Sequence, residues 1–397
     1  MYRELENTVH EIMRDSIANR EAAGVNLLVE KDFETVLCCQ EGLADREKGR
    51  RMERDTILRI YSMTKPITAA AVMILMERGM LDLCQPVGDF IPEFSQMKIE
   101  RNGKYEEQLR PILVHDLLRM TSGLVYPGED SAAARAAGMV FDDAVERLHT
   151  ENPVTTIELA RRLSECPLLF QPGSSWCYGA SADILGALVE IISGKRFSEF
   201  LQEEIFAPLG MEDTGFWVPG EKRERLASVY ETAEKEDGTR TMKKYEGNYL
   251  AIRNDMARPP AYEAGGAGLV STLDDYMKFA RMLLNEGAFR GGRILRAETV
   301  RFFTGAELMD IQQTGFNKWI GLEGYTYGNL MRVCRRPSRC CILAKEGEYG
   351  WDGWTGMYFA NFPKEKMTIL MGTQKKEGAT FALTRKLRNV ILSSLQE

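Results

Sequence analysis

Ser62-Met-Thr-Lys65 places a hydroxyl and an amine three residues apart, which on a helix puts both side chains on one face with the amine in reach of the hydroxyl. A serine hydroxyl is a poor nucleophile at neutral pH. A lysine in a desolvated pocket can have its pKa lowered until it serves as the neighbouring base, and a helix N-terminus adds N–H donors for developing negative charge. The chemistry this pattern offers is acyl transfer through a serine ester. Spacing alone does not choose the serine, because Ser95-Gln-Met-Lys98 repeats it. Context does: the second copy follows Pro92 in a polar stretch and precedes the turn signal Asn102-Gly103, whereas Ser62 follows apolar residues 57–61 and opens a long apolar segment ending at Gly79. Pro66 fits a helix start, where first-turn N–H groups lack intrahelical partners.

Other routes to nucleophilic or metal chemistry are poorly supplied. No Gly-x-Ser-x-Gly elbow is present, since Gly179-Ala-Ser181-Ala-Asp183 fails at its last position. Of the histidines His10, His115 and His149, only His115 is placed to act as a base, and beside Asp116 it reads as a structural helix-start residue. Eight cysteines, two pairs of them adjacent (Cys38-Cys39, Cys340-Cys341), read as reduced, mostly buried thiols. Cys334, Cys340 and Cys341 lack both a Cys-x-x-Cys pair and a neighbouring histidine, so neither a metal nor a cofactor is expected.

The elements that must position Ser62 follow from the patterning. A chain of 397 residues exceeds one ordinary core, so two lobes are expected. Hydrophobic content of 44% with 27% charged residues is ordinary for a globular protein, and a net charge of -7 offers no footprint for nucleic acid. The N-terminus lacks the apolar run of a secretory signal and no stretch approaches about 18 apolar residues, which predicts a cytoplasmic protein without a membrane partner. Residues 2–23 read as an amphipathic helix, 25–31 and 35–39 as strands joined by a turn at Asp32, and 57–61 as a third strand. Helical patterns dominate 86–254. Strands return at 325–333, 340–344, 356–362 and 367–373, before a terminal helix from about 378. Three early and four late strands are expected to share one sheet. The expected division is a sheet domain from 1–85 and 255–397, an inserted helical lobe from 86–254, and the site in the cleft between them.

The run from Tyr61-Ser-Met-Thr-Lys-Pro-Ile through Leu81-Asp-Leu resembles the nucleophile helix of serine β-lactamase-like proteins, especially class C β-lactamases and family VIII carboxylesterases. Five further segments follow in that family's order: Val114-His-Asp-Leu-Leu-Arg-Met-Thr-Ser-Gly-Leu124, Gln171-Pro-Gly-Ser-Ser-Trp-Cys-Tyr-Gly-Ala180, Pro208-Leu-Gly-Met-Glu-Asp-Thr214, Ala264-Gly-Gly-Ala-Gly-Leu-Val-Ser-Thr272 and Gly350-Trp-Asp-Gly-Trp-Thr-Gly356. The resemblance implies an α+β fold, with an antiparallel sheet flanked by N- and C-terminal helices and a mostly helical lobe inserted. It implies that Tyr178 faces Ser62 and Lys65 across the cleft, accepting the serine proton and returning it to the leaving group. It makes the backbone N–H groups of Ser62 and Trp354 the oxyanion hole, with Trp351, Asp352, Gly353 and Tyr126 as substrate contacts.

Two departures shape the expected substrate. Ala180 and Trp351 stand where β-lactamases and penicillin-binding relatives carry an Asn and a Lys or His, so the groups that hold a lactam or peptide carboxylate are missing. Trp at the third motif is similar instead to family VIII esterases and related acyltransferases, and small esters rank above lactams. β-Lactam or D-amino-acid peptide hydrolysis requires another cation to replace the missing one. A silent binding protein of this fold is the alternative of a different class, and the presence of Ser62, Lys65 and Tyr178 together counts against it. Asp352 beside an oxyanion hole must point away or be paired, since a carboxylate there opposes developing negative charge. Oligomeric state, acyl chain length and the balance of hydrolysis against transfer are not legible.

Overall fold

Alternation along a few short strands divides the apolar residues between two cores. A computed structural model describes residues 2–101, 103–234, 238, 240–378 and 382–395. Its main sheet is built from β1 (Gly24–Lys31), β2 (Glu34–Asp45), β3 (Arg50–Arg51), β4 (Tyr325–Tyr327), β5 (Arg332–Cys334), β6 (Tyr349–Gly353), β7 (Met357–Phe362) and β8 (Met367–Gly372). The order is β4-β5-β6-β7-β8-β1-β2-β3 with every neighbouring pair antiparallel, so the two ends of the chain meet where Asn26 pairs with Gly372 and Lys31 with Met367. Asp32 and Phe33, with φ of 52° and 66°, make the left-handed turn that the twist of the β1–β2 hairpin favours.

The helices that matter for the site are α1 (Tyr2–Ala18), α2 (Thr64–Glu77), α3 (Ser181–Ser193), α4 (Leu273–Leu284) and α5 (Ala382–Ser394). Val25, Leu27 and Val29 of β1, Tyr358 and Ala360 of β7, and Ile369 and Met371 of β8 face a core shared with α1 and α5. Leu28, Phe359 and Leu370 point the other way, into the larger core that holds α2, α3 and α4. This is the period of two expected of strands covered on both faces. Helix α2 is buried without interruption from Thr64 to Leu75, so its apolar run is a core helix rather than an amphipathic one.

Residues 86–254 carry α3, further helices including Ala132–Arg147 and Thr156–Ser164, and two β-hairpins, Lys98–Arg101 with Lys104–Glu107 and Tyr230–Glu234 with Arg240–Lys244. The second Ser-x-x-Lys copy never reaches one helix face: Ser95 lies in the turn Pro92–Gln96 and Lys98 begins a strand. No helix among the described residues is long and apolar enough to cross a membrane.

Three strand expectations are corrected. Of residues 57–61, Ile57 makes a single bridge to Leu226 and only Leu58–Arg59 forms a strand, which pairs with Val270–Ser271 outside the main sheet, because this segment must leave the sheet to deliver Ser62. Residues 325–333 form two strands, β4 and β5, turned at Leu330 with φ of 59°. Residues 340–344 are a loop that accepts hydrogen bonds from the buried Arg388 at the Leu343 carbonyl. Strand β6 replaces it in the sheet, and its glycines and Asp352 hid the apolar pattern.

The terminal-helix core rests on fully buried side chains such as Ile391. Truncation by Ile391→Ala is expected to cost about 3 kcal/mol, read as a lowered urea midpoint with an unchanged slope.

Candidate active site

The chain enters the site through a tight turn. Tyr61–Met63 form one 3-10 turn with Tyr61 at φ 42°, a costly conformation for an aromatic residue, and α2 starts immediately afterwards at Thr64. The turn is held from several directions: Ile60 N–H donates to Leu269 O at 3.0 Å, Tyr276 OH donates to Met63 O at 2.9 Å, and Leu269 N–H donates to Thr64 Oγ1 at 3.1 Å. Ser62 is left half-buried at the surface of this frame.

Lys65 is 0% exposed, and its Nζ lies 3.2 Å from Ser62 Oγ, 3.2 Å from Tyr126 OH and 2.7 Å from the Gly266 carbonyl. Burial pushes its pKa down to about 7, with the charge of Asp183 opposing the shift. Asp183 is itself buried in the first turn of α3. It accepts from Tyr262 OH at 2.6 Å, Gly266 N–H at 2.9 Å and Tyr126 OH at 3.3 Å, while desolvation raises its pKa. Gly266 and Tyr126 therefore each touch both the amine and the carboxylate.

The ring of Tyr178 lies 4.5 Å from Lys65 Nζ, and Trp351 Nε1 donates to its hydroxyl at 3.1 Å. Burial raises the Tyr178 pKa, while hydrogen bonds from Ser62 and Trp351 pull the other way. The amine is thus the group shifted toward neutral pH, and the phenol is shifted away from it. The structure brings Ser62, Lys65 and Tyr178 together, with Tyr126 beside them.

The four expected substrate contacts fare differently. Trp351 is 4% exposed and its indole is committed to Tyr178. Strand alternation turns Asp352 to the opposite face of β6, where it pairs with Arg332 at 2.8 Å, so its carboxylate does not oppose charge at Ser62. Gly353 packs against the serine turn, where a β-carbon would collide with the Ile60 carbonyl. Tyr126 has its hydroxyl engaged by Lys65 and Asp183. Trp354 stacks on Tyr249 at 4.3 Å and meets Tyr61 edge-on at 5.1 Å, which sets its backbone beside the serine turn. On the other flank Trp319 packs 5.0 Å from Tyr178 and 5.6 Å from Trp176.

Asp183, Tyr262, Gly266 and Trp319 were not picked out as site residues from sequence. The signal for Asp183 was an acid among the apolar residues of 181–189, all of them buried. Gly266 sits in the glycine segment, where a β-carbon would clash with Tyr126 OH and Asp183. His115 is in the short helix Val114–Leu118, and its neighbour Asp116 is taken up by Arg110 at 2.6 Å and 2.9 Å. As for metals, Glu6, His10 and Cys39 gather within 4.8 Å among the described residues. His10 Nδ1 is engaged by Glu41 at 2.8 Å, and burial pushes the Cys39 thiol up to about 12, so an ion there would have to displace the thiol proton.

A profile of the Beta-lactamase family matches residues 6–392. This chain belongs to the β-lactamase family. Esterase EstB of Burkholderia gladioli is 31% identical over 394 residues, covering 96% of this chain and 93% of the relative. Among solved structures, EstCE1, described as a hydrolase with promiscuous acyltransferase activity, superposes with a TM-score of 0.81 at 21% identity, covering 98% of this chain and 99% of that one. Unliganded simvastatin synthase (LovD) from Aspergillus terreus gives a TM-score of 0.77 at 22% identity, covering 98% of both chains. These two likenesses establish the α+β fold of the family for this chain.

Gly353→Ala is expected to push β6 off the serine turn. About 1–3 kcal/mol of stability should be lost, and kcat should fall about 100-fold through misplacement of Trp354 relative to Ser62, measured by denaturation and ester turnover on the same preparation.

Proposed function

We propose that this β-lactamase-family protein is a serine hydrolase that cleaves small carboxylic esters through an acyl-enzyme on Ser62, which water or an acceptor alcohol then releases. The observation that carries this reading is the fully buried Lys65 amine 3.2 Å from Ser62 Oγ, with its pKa lowered to about 7. A neutral amine at that distance can take the serine proton as the oxygen attacks the ester carbonyl. Tyr178, whose ring lies against the amine and whose hydroxyl is fixed by Trp351, then gives its proton to the departing alkoxide and recovers the one held by Lys65, so both groups return to their starting states. The N–H groups of Ser62 and Trp354 serve as donors to the tetrahedral oxyanion, a placement supported by the packing of Trp354 on Tyr61. The division of the chain into a sheet domain (1–85 and 255–397) and a lobe (86–254) goes with this reading, because Ser62 comes from the first and Tyr178 from the second.

Esters are favoured over lactams because the third-motif position is an indole committed to Tyr178, not a free cation. The 31% identity to an esterase over nearly the whole chain supports the same choice. Transfer to an alcohol draws support from the fold likeness to EstCE1 and simvastatin synthase. A second reading, hydrolysis of a D-amino-acid peptide, has one observation in its favour: Lys376 Nζ lies 5.8 Å from the Trp354 ring and 5.2 Å from that of Tyr245, so a cation does border the expected oxyanion strand. That amine is already paired with Glu231 at 3.4 Å. A putative D-alanyl-D-alanine carboxypeptidase of Escherichia coli is 27% identical over 368 residues, covering 88% of this chain and 78% of the relative.

Purified protein should hydrolyse short p-nitrophenyl esters far faster than a chromogenic cephalosporin, and intact mass should show one acyl adduct that Ser62→Ala abolishes. Equal rates for wild type and Ser62→Ala, with no adduct, would remove the hydrolase reading. In a pH series, kcat/KM should rise as pH passes upward through about 7. Below that value Lys65 is an ammonium and cannot accept the serine proton. A profile flat from pH 5 to 9 would rule Lys65 out as the base.

A further inference from the structure

Behind β6, on the face that carries the terminal helices, a cavity of about 520 Å³ opens between the sheet, α5 and the segments 320–323 and 339–342. Its size is that of a small-molecule site. Leu322 and Ile342 give it apolar walls. The arginines at its floor are spoken for: Arg332 by Asp352 and the Phe359 carbonyl, Arg388 by Glu348, Tyr358 and the Leu343 carbonyl. Two features of the lining have no such internal account. The Arg339 guanidinium, exposed at the rim, makes no ion pair or side-chain hydrogen bond among the described residues. Ile320, 86% exposed, stands at the mouth near the exposed Arg339.

We propose that this cavity binds a carboxylic acid with a medium-length apolar tail, the tail against Leu322 and Ile342 and the carboxylate accepting from Arg339. Glu323 at the rim disfavours a dianion such as a phosphate ester and leaves a singly charged head as the better fit. The site also reaches the reaction centre through two covalent neighbours. Asp352 in its lining follows Trp351, which holds the Tyr178 hydroxyl, and Ile320 follows Trp319, whose ring lies 5.0 Å from that of Tyr178. An acid seated there changes the setting of Tyr178 without entering the cleft. This coupling rests on the hydrolase reading, whereas the binding does not.

Octanoate titrated calorimetrically into the full Ser62→Ala chain should bind saturably at one site. Arg339→Glu, which reverses the charge at the mouth, and Ile342→Trp, which fills the cavity, should each weaken it at least tenfold. Octylamine and acetate, lacking the head or the tail, should give no saturable heat. In wild type, octanoate should change kcat for p-nitrophenyl acetate at least twofold with KM constant, and Ile342→Trp should lose the effect while keeping the basal rate. No saturable heat, or binding indifferent to both variants, overturns the site. Octanoate that only raises KM is occupying the cleft and overturns the coupling. Binding that follows these variants in a protein that hydrolyses no ester leaves the site standing and removes the hydrolase reading instead.

Discussion

A lysine amine removed from water stays unprotonated near neutral pH only while nothing nearby holds its proton too tightly, and the arrangement around Ser62 depends on that balance. Lys65 is fully buried, and the nearest carboxylate, Asp183, reaches it through Tyr126 and Gly266, each of which touches both groups. A direct pair would hold the amine as an ammonium. No carboxylate at all would leave the transient ammonium without compensation when it takes the serine proton. Placing Asp183 one layer away, anchored by Tyr262, leaves the pKa at about 7. Stability is spent on this arrangement. The folded-state pKa lies below the ordinary lysine value of 10.5, so the unfolded chain binds the proton more readily between those values, and the penalty grows as pH falls from 10.5 toward 7.

Backbone proximity does much of the positioning. Gly266 presents its carbonyl to Lys65 and its N–H to Asp183, in a space that a β-carbon would take from Tyr126 and Asp183. Gly353 lets the end of β6 lie against the Ile60 carbonyl, and Thr355 and Gln374 donate to the Arg59 carbonyl at 3.1 Å and 3.2 Å, so the turn after β6 that carries Trp354 is stitched to the segment that leads into Ser62. Strand alternation then separates two chemistries. Trp351 faces Tyr178, whereas Asp352, one residue on, faces Arg332 and the terminal helices. The carboxylate that looked misplaced beside an oxyanion hole is on the far side of the sheet.

The legible parts of this fold were those with strong local periodicity. The β1–β2 hairpin, the long apolar helix after Ser62 and strands β7 and β8 all follow the pattern of their residues. Residues 57–61, apolar apart from Arg59, and the apolar residues 340–344 have the same local look, yet neither lies in the main sheet. One must leave it to deliver the nucleophile and the other must wrap a buried arginine. Strand β6 was the reverse case, unreadable from local pattern because Gly350 and Gly353 serve close backbone approach rather than apolar burial.

By itself the sequence determined the identity and local spacing of the reactive groups. Ser62 and Lys65 share a helical face because they are three residues apart, and the flanking apolar runs separate them from the copy at Ser95. Ala180 and Trp351 could be read directly as departures that disfavour a lactam. Tertiary structure alone decided which way each side chain faces and what it does to its neighbours' protons: Trp351 toward Tyr178, Asp352 away, Asp183 beneath Lys65 at one remove. The reason is physical. Helical spacing is a local property, whereas desolvation and charge proximity, which set the Lys65 pKa, are sums over groups from Tyr126, Asp183, Tyr262 and Gly266 that only folding brings together.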